Sequence, residues 1–354
     1  MATKNKAENE KYFAAANTYW GFKSYFHEVF APRAFERIYI IKGGPGTGKS
    51  SLMKRIVREF SGFEYEIEEI YCSSDPNSLD GVIIGKDEKK IAILDGTAPH
   101  ETDAKIPGAV DEIINLGDNW DKRWLMASKD KIESLCKEKS AAYSTAYSYL
   151  KIAGEGFDFI IKSLSSHFDQ KRAKVKAEEF CREINSDCNK IIKTRLLSSF
   201  GKNGKQRLDT LKNISEKYYS ITSDESCAYL LLGEIRKQLA DNAVSFTYFP
   251  SALSPTHIDA IYIPSISTAF SIGENGNAIN AEELLLPSYK LCSEQIKVAR
   301  TINEMAIAEA ARWFAIASDF HFRLEEIYSE AMDFEKNDAI FNKILEEIKN
   351  ILTL

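Results

Sequence analysis

The chain reads as an α/β protein built twice: a three-layer α/β unit, a helical extension, then a second, degenerate α/β unit with its own helical extension. Three observations predict this. Apolar runs of strand length alternate with helical patterns in residues 1–120, and short β-like runs return in 216–287. Each stretch is followed by a charged helical one, 121–215 and 288–354. Short segments of the first half also recur, in the same order, in the second.

Taken in order, Ile38, Tyr39, Ile40 and Ile41 form an apolar run that meets a glycine-rich loop, and residues 49–60 carry a helical pattern. A second strand is predicted at 65–71, where Ile67 and Ile70 sit among glutamates. A third is the run Ile91, Ala92, Ile93, Leu94, which ends at Asp95. Strands alternating with helices predict a parallel sheet with crossovers. From about Asn119 to Lys217 the pattern is helical and charged, broken at Gly201, Lys202, Asn203 and Gly204. Beyond 288, apolar positions three and four apart predict helix again.

The repeat rests on matched spacing. Tyr248 follows Tyr71 by 177 residues and Asp259 follows Asp80 by 179, while Glu234 and Ile235 follow Arg55 and Ile56 by 179. Ala269 follows Ala92 by 177, and the segment around Ile152 and Phe157 resembles that around Ile316 and Phe320.

Bulk composition narrows the functional classes. At 354 residues, 44% hydrophobic and 28% charged, the chain has globular proportions. A net charge of −6 disfavours nucleic acid as a partner. Six scattered cysteines include no CxxC pair, the N-terminal segment lacks the apolar core of a signal peptide, and no apolar stretch is long enough to span a bilayer. A reduced, cytoplasmic protein without a membrane segment is the expectation. A protein partner or a homo-oligomer stays open.

The chemistry concentrates at Gly43, Gly44, Pro45, Gly46, Thr47, Gly48, Lys49 and Ser50, with Ser51 following, a match to GxxxxGK[ST]. Glycines let backbone N–H groups curl around phosphates without Cβ clashes, and the following helix adds the positive end of its dipole. Lys49 is placed to reach the β- and γ-phosphates, and the Ser50 hydroxyl to ligate Mg²⁺. The expected ligand is a nucleoside triphosphate, ATP with Mg²⁺, bound in a P-loop NTPase fold. Asp95, at the end of an apolar strand, is the expected second metal partner. No glutamate follows it, since Gly96 stands there, so the catalytic base is open among Glu68, Glu69, Asp75 and Glu101. Thr97 and His100 are candidates to sense the γ-phosphate or orient a water. Cys72, with no base paired to it, reads as a small buried side chain.

With Gly-Gly-Pro-Gly-Thr-Gly-Lys-Ser, then Cys-Ser-Ser-Asp-Pro-Asn-Ser-Leu-Asp-Gly, then Leu-Asp-Gly-Thr-Ala-Pro-His, the chain resembles a family of uncharacterised bacterial P-loop ATPases. These are proteins of low-GC Gram-positive bacteria with two tandem NTPase-like halves. The resemblance is specific over residues 37–121 and faint afterwards, and it implies nucleotide binding. In that family the second half usually has its own glycine-rich loop; here it does not. A shift of 179 places residues 43–50 on Thr222, Ser223, Asp224, Glu225, Ser226, Cys227, Ala228 and Tyr229, and a shift of 177 places Asp95 on Ile272. Glycines, lysine, hydroxyl and aspartate are lost together, and Asp224 and Glu225 stand in the nest, which predicts a pseudo-NTPase.

In the helical segments, Tyr143, Tyr147 and Leu150 read as core, Cys181 and Cys188 as packing residues on one helix face, and residues 171–176 as a solvated basic face. The leading expectation is an ATPase with one active half. A small-molecule or nucleotide kinase and a non-hydrolysing nucleotide sensor are the alternatives.

Overall fold

A computed structural model describes residues 9–62, 65–182, 184–222, 225–273 and 276–353. Its first half contains β1 (Glu10–Phe13), β2 (Ala15–Thr18), β3 (Gly21–Ser24), α1 (Phe26–Val29), β4 (Arg37–Lys42), α2 (Lys49–Phe60), β5 (Glu66–Tyr71), β6 (Leu79–Lys86), β7 (Lys89–Asp95) and β8 (Asp111–Asn115). Helices α3 (Lys122–Ala127), α4 (Lys129–Ser165) and α5 (Gln170–Cys181) follow. The second half contains β9 (Ile192–Thr194), β10 (Ser198–Gly201), β11 (Gly204–Arg207), α6 (Thr210–Ile214), β12 (Lys217–Thr222), α7 (Glu225–Asp241), β13 (Phe246–Pro250), β14 (Ile258–Ile263), β15 (Thr268–Ile272) and β16 (Asn277–Asn280). It closes with α8 (Ser293–Glu330) and α9 (Phe334–Thr353).

The two six-stranded sheets share one topology. The first has the order β1-β5-β6-β7-β4-β8, and the second, read from its β9 edge, β9-β13-β14-β15-β12-β16. Parallel and antiparallel pairings fall at the same places in both. The sheets are mixed rather than parallel throughout, a correction to the sequence expectation. Strand β6, which the apolar-run reading passed over, runs antiparallel between β5 and β7. Its connections are too short for a crossover: a turn built on Asp75 precedes it, and only Asp87, at φ 55°, and Glu88 separate it from β7. Strand β4 is buried on both faces. Ile38 and Ile40 join the large core that continues into the second half, and Tyr39 and Ile41 join the core under α2.

Residues 121–215 are not helical throughout. Helix α5 ends at Cys181, Cys188 is exposed beyond it, and β9 already belongs to the second sheet. Cys181 and Cys188 therefore do not share a helix face. The break at Gly201 to Gly204 is the turn of the β10–β11 hairpin, which matches β2–β3 in the first half.

Helices α4 and α8, of 37 and 38 residues, lie side by side and antiparallel, each about 55 Å long. Backbone bridges tie both ends, Trp120 to Met332 and Phe168 to Leu285. Tyr143 and Tyr147 pack edge-on against Phe314 between them, and Leu150 is fully buried. This pairing exchanges the terminal helices. Helix α5, carried by the first half, packs on α7, while α9, at the end of the second half, packs on α2. Phe341, Ile344, Ile348 and Leu352 of α9 thus complete the first half's core with Leu52, Met53 and Ile56. The basic run of α5 is mostly exposed, with Lys174 paired to Glu178. No helix among the described residues is long and apolar enough to cross a membrane.

Candidate functional site

The glycine-rich loop lies between the C-terminal end of β4 and the start of α2. Gly43, Gly46 and Gly48 have φ of 152°, 69° and 85°, values that side-chain-bearing residues adopt only under strain. Thr47 is buried and braces the turn from inside, its Oγ1 donating to the Gly44 carbonyl at 2.9 Å. Lys49 Nζ donates to the carbonyls of Gly43 (2.9 Å) and Gly44 (2.7 Å) and lies 3.6 Å from Asp95 Oδ2. Ser50 Oγ accepts from Leu79 N at 2.9 Å, which brings the start of β6 against α2. Pro45 is half-buried in the loop, and Ser51 is exposed on α2.

Asp95 ends β7 beside β4, paired in register with Ile41. Its Oδ1 accepts from Thr97 N and Thr97 Oγ1, at 2.9 and 2.5 Å. Thr97 therefore orients Asp95. Next to it stands a carboxyl that no sequence pattern selected, Asp80. Because β6 runs antiparallel, its first residues share an edge with the last residues of β7, and ligand atoms of Asp80, Asp95 and His100 lie within 4.8 Å of one another. Burial, then the Asp95 charge, pushes the Asp80 carboxyl up to about 8. Burial holds His100 below its ordinary value, with Lys49 adding to this and Asp95 opposing it. His100 Nε2 is 3.9 Å from Asp80 Oδ2, its ring stacks on Phe26 at 4.4 Å, and its Nδ1 is buried without a hydrogen-bond partner. Burial and the Asp80 charge push the Cys72 thiol well up, so Cys72 stays protonated and is no nucleophile.

The other acid candidates lie elsewhere. Glu69 is on β5, three strands from β4, where it accepts hydrogen bonds from Asn9 and Tyr71. Glu68, on the opposite face of the sheet, is held by Arg195 at 2.8 Å. Glu101 is exposed, and Asp75 shapes the β5–β6 turn. Asp80 is the carboxyl gathered with Asp95. Its one sequence signal was the repeat match to Asp259.

The second half differs at the loop, at Lys49, at Ser50 and at Asp95, while Asp259 keeps the place of Asp80. Residues 223 and 224 alone separate β12 from α7, against residues 43–48 in the first half, and they lie outside the described residues, Asp224 included. Glu225 opens α7. Leu231, Leu232 and Ile235 are buried as Leu52, Met53 and Ile56 are, so the shift of 179 holds along the helix. By that alignment, α7 has helical backbone where the first half has Gly46 to Gly48. Ile272 pairs with Ile221 as Asp95 pairs with Ile41. Tyr229, in the place of Ser50, donates to Asp259 Oδ1 at 3.0 Å, and Ser198 donates to Oδ2 at 2.6 Å. Burial would raise Asp259, but Lys205, Arg207 and these hydrogen bonds hold it below the usual carboxylate range. Asp259 thus sits in a buried polar cluster with Tyr229 and Ser198.

The contrast between Asp80 and Asp259 predicts a pH effect. Asp80 titrates near 8 when folded and near 4 when unfolded, so between these values the folded chain holds the extra proton. Its contribution is fully present below pH 4 and is lost as pH rises through 8. Asp80→Asn should remove that loss, raising stability at pH 8 relative to pH 5 by an amount on the order of a few kcal/mol. Urea unfolding at the two pH values checks this; an unchanged pH slope in the variant would show that Asp80 ionises normally.

Chemically, the Ser50, Asp80 and Asp95 oxygens could hold a hard divalent cation, and the loop N–H groups with Lys49 could hold an anion beside it. Compared with family models, with curated proteins and with solved structures, the chain finds no match in any of the three.

Proposed function

We propose that the first half is a P-loop NTPase that binds ATP with Mg²⁺ and hydrolyses it, and that the second half is a degenerate copy binding no nucleotide. The observation that carries this reading is Lys49, bonded to the Gly43 and Gly44 carbonyls and 3.6 Å from Asp95, on a loop with three glycines at positive φ. The loop N–H groups and Lys49 hold the phosphates, and Ser50 and Asp95 hold the metal. Bound Mg²⁺ supplies charge neutralisation across the phosphates. Thr97 keeps Asp95 oriented, and Asp80, rather than Glu69, is the carboxyl positioned to orient an attacking water. His100, stacked on Phe26, lies beside Asp80.

The test is stoichiometry. Calorimetric titration of the full chain with a slowly hydrolysed ATP analogue and Mg²⁺ should give one nucleotide per chain, followed by phosphate release when ATP itself is supplied. Two equivalents would mean that the second half is alive, and none would remove the proposal. Binding without phosphate release would favour a nucleotide sensor, a reading supported by the contact of α8 with Gly46.

A further inference from the structure

The glycine loop of the first half is held by the last two helices of the chain. Ser329 Oγ, near the end of α8, donates to the Gly46 carbonyl at 3.1 Å, and Asn337 Nδ2, in the first turn of α9, donates to the Thr47 carbonyl at 3.0 Å. A Cβ on Gly46 would collide with the Glu325 carbonyl oxygen, so α8 passes as close as a glycine allows. Asn337 is buried, and its amide fits one way round: its NH2 meets a carbonyl, and its Oδ1 accepts from Asn119 Nδ2 at 2.9 Å. Backbone fixes the α8–α9 corner to the first half as well. Asp121 N donates to the Ala331 carbonyl at 2.8 Å, and Asp333 N to the Asn119 carbonyl at 3.0 Å.

These contacts decide where N–H groups of the loop point. A peptide unit is planar and trans, so its C=O and its N–H point opposite ways. With the Gly46 and Thr47 carbonyls turned to α8 and α9, the N–H groups of Thr47 and Gly48 face away from both helices. Among the described residues neither donates a hydrogen bond, although Thr47 is buried. Two unpaired N–H groups on adjacent residues, just ahead of the N-terminus of α2, make an anion nest. Gly46 and Gly48, at positive φ, leave the loop free to flip these peptides, which would aim carbonyl oxygens where the nest needs hydrogens. The loop's own sequence therefore does not fix the nest; the two donors from the far end of the chain do.

We propose that the second half aims the phosphate nest of the first: Ser329 and Asn337 are positioning residues that hold the Thr47 and Gly48 N–H groups toward the ligand. This rests on the reading of residues 43–50 as a triphosphate site. It gives the degenerate half a task, because the helices it carries across set the binding loop of its neighbour.

The experiment is calorimetric titration of the full chain with a slowly hydrolysed ATP analogue and Mg²⁺, with a thermal melt on each sample, in wild type, Asn337→Asp, Ser329→Ala, Leu352→Ala and Lys49→Ala. Asn337→Asp keeps the side chain's shape but sets a carboxylate oxygen against the Thr47 carbonyl. It should bind about tenfold more weakly, and Ser329→Ala about threefold. Leu352 is buried in the same core near the end of α9, about four turns from Asn337, and reports the cost of loosening the helix without touching the loop. Leu352→Ala should melt earlier and bind as wild type does. Wild-type affinity in Asn337→Asp, or an equal loss in Leu352→Ala, overturns the positioning role, while weakened binding by Lys49→Ala keeps the triphosphate reading standing. Wild-type binding by Lys49→Ala instead removes that reading, and this inference with it. Ser329 is half-buried near a helix end, so Ser329→Ala folds and decides the matter should Asn337→Asp melt early.

Discussion

Lys49→Ala is expected to weaken triphosphate binding by a hundredfold or more, on the order of the loss of a buried charge-assisted contact to phosphate. The ammonium is nearly enclosed, bonded to two loop carbonyls and 3.6 Å from Asp95, so it is already positioned and dehydrated. The same enclosure gives the variant a structural cost. Removing Lys49 leaves Asp95 with Thr97 as its remaining close partner, worth about 1–3 kcal/mol of stability. That is small beside the cores on both faces of β4, so the fold survives. Calorimetry and a thermal melt on the same sample separate the two effects. Equal affinity in variant and wild type would show that the loop binds no triphosphate.

The second large effect lies at the other end of the chain. Phe341→Ala combined with Ile348→Ala should destabilise the first half by about 5 kcal/mol or more, since each removes a buried side chain from one core. Both are buried against α2, and the Arg55 guanidinium lies 3.9 Å above the Phe341 ring. Hydrogen exchange is expected to show protection lost in β4 and β7 while β12 and β15 keep theirs. Loss confined to α9 itself would mean that the first half is stable without its exchanged helix.

Much of the candidate site was legible because it is local. Strand β4, the loop and α2 follow one another without interruption, and the apolar run, the glycines and the helical spacing each act within a few residues. Asp95 was legible because an acid closing an apolar strand sits at the sheet's edge whichever strands flank it. The changed second half was legible too, since a repeat at a nearly constant shift places Ala228, Tyr229 and Ile272 against Lys49, Ser50 and Asp95. Asp80 was not. In the sequence it is one acid among many after a turn, and it joins Asp95 only because β6 runs backwards between β5 and β7. The pleat separates Glu68 from Glu69, sending one to Arg195 and the other to Asn9 and Tyr71.

What the amino-acid order determined by itself is the backbone conformation of the segments with regular apolar spacing, such as β4, α2 and β7, and the face each presents to a core; β6 and the strands of residues 192–207 were not among them. Which faces meet was decided by the tertiary structure alone. Helix α9 is amphipathic on any reading, yet nothing within it says that α2, nearly the whole chain away, is its partner. Ser329 and Asn337 look like ordinary polar positions until α4 and α8 pair and carry the end of each half across to the other, where both side chains meet carbonyls of the glycine loop. Periodicity records that a surface must be buried; the partner that buries it is chosen by packing over the whole chain, where contacts far apart in sequence become neighbours.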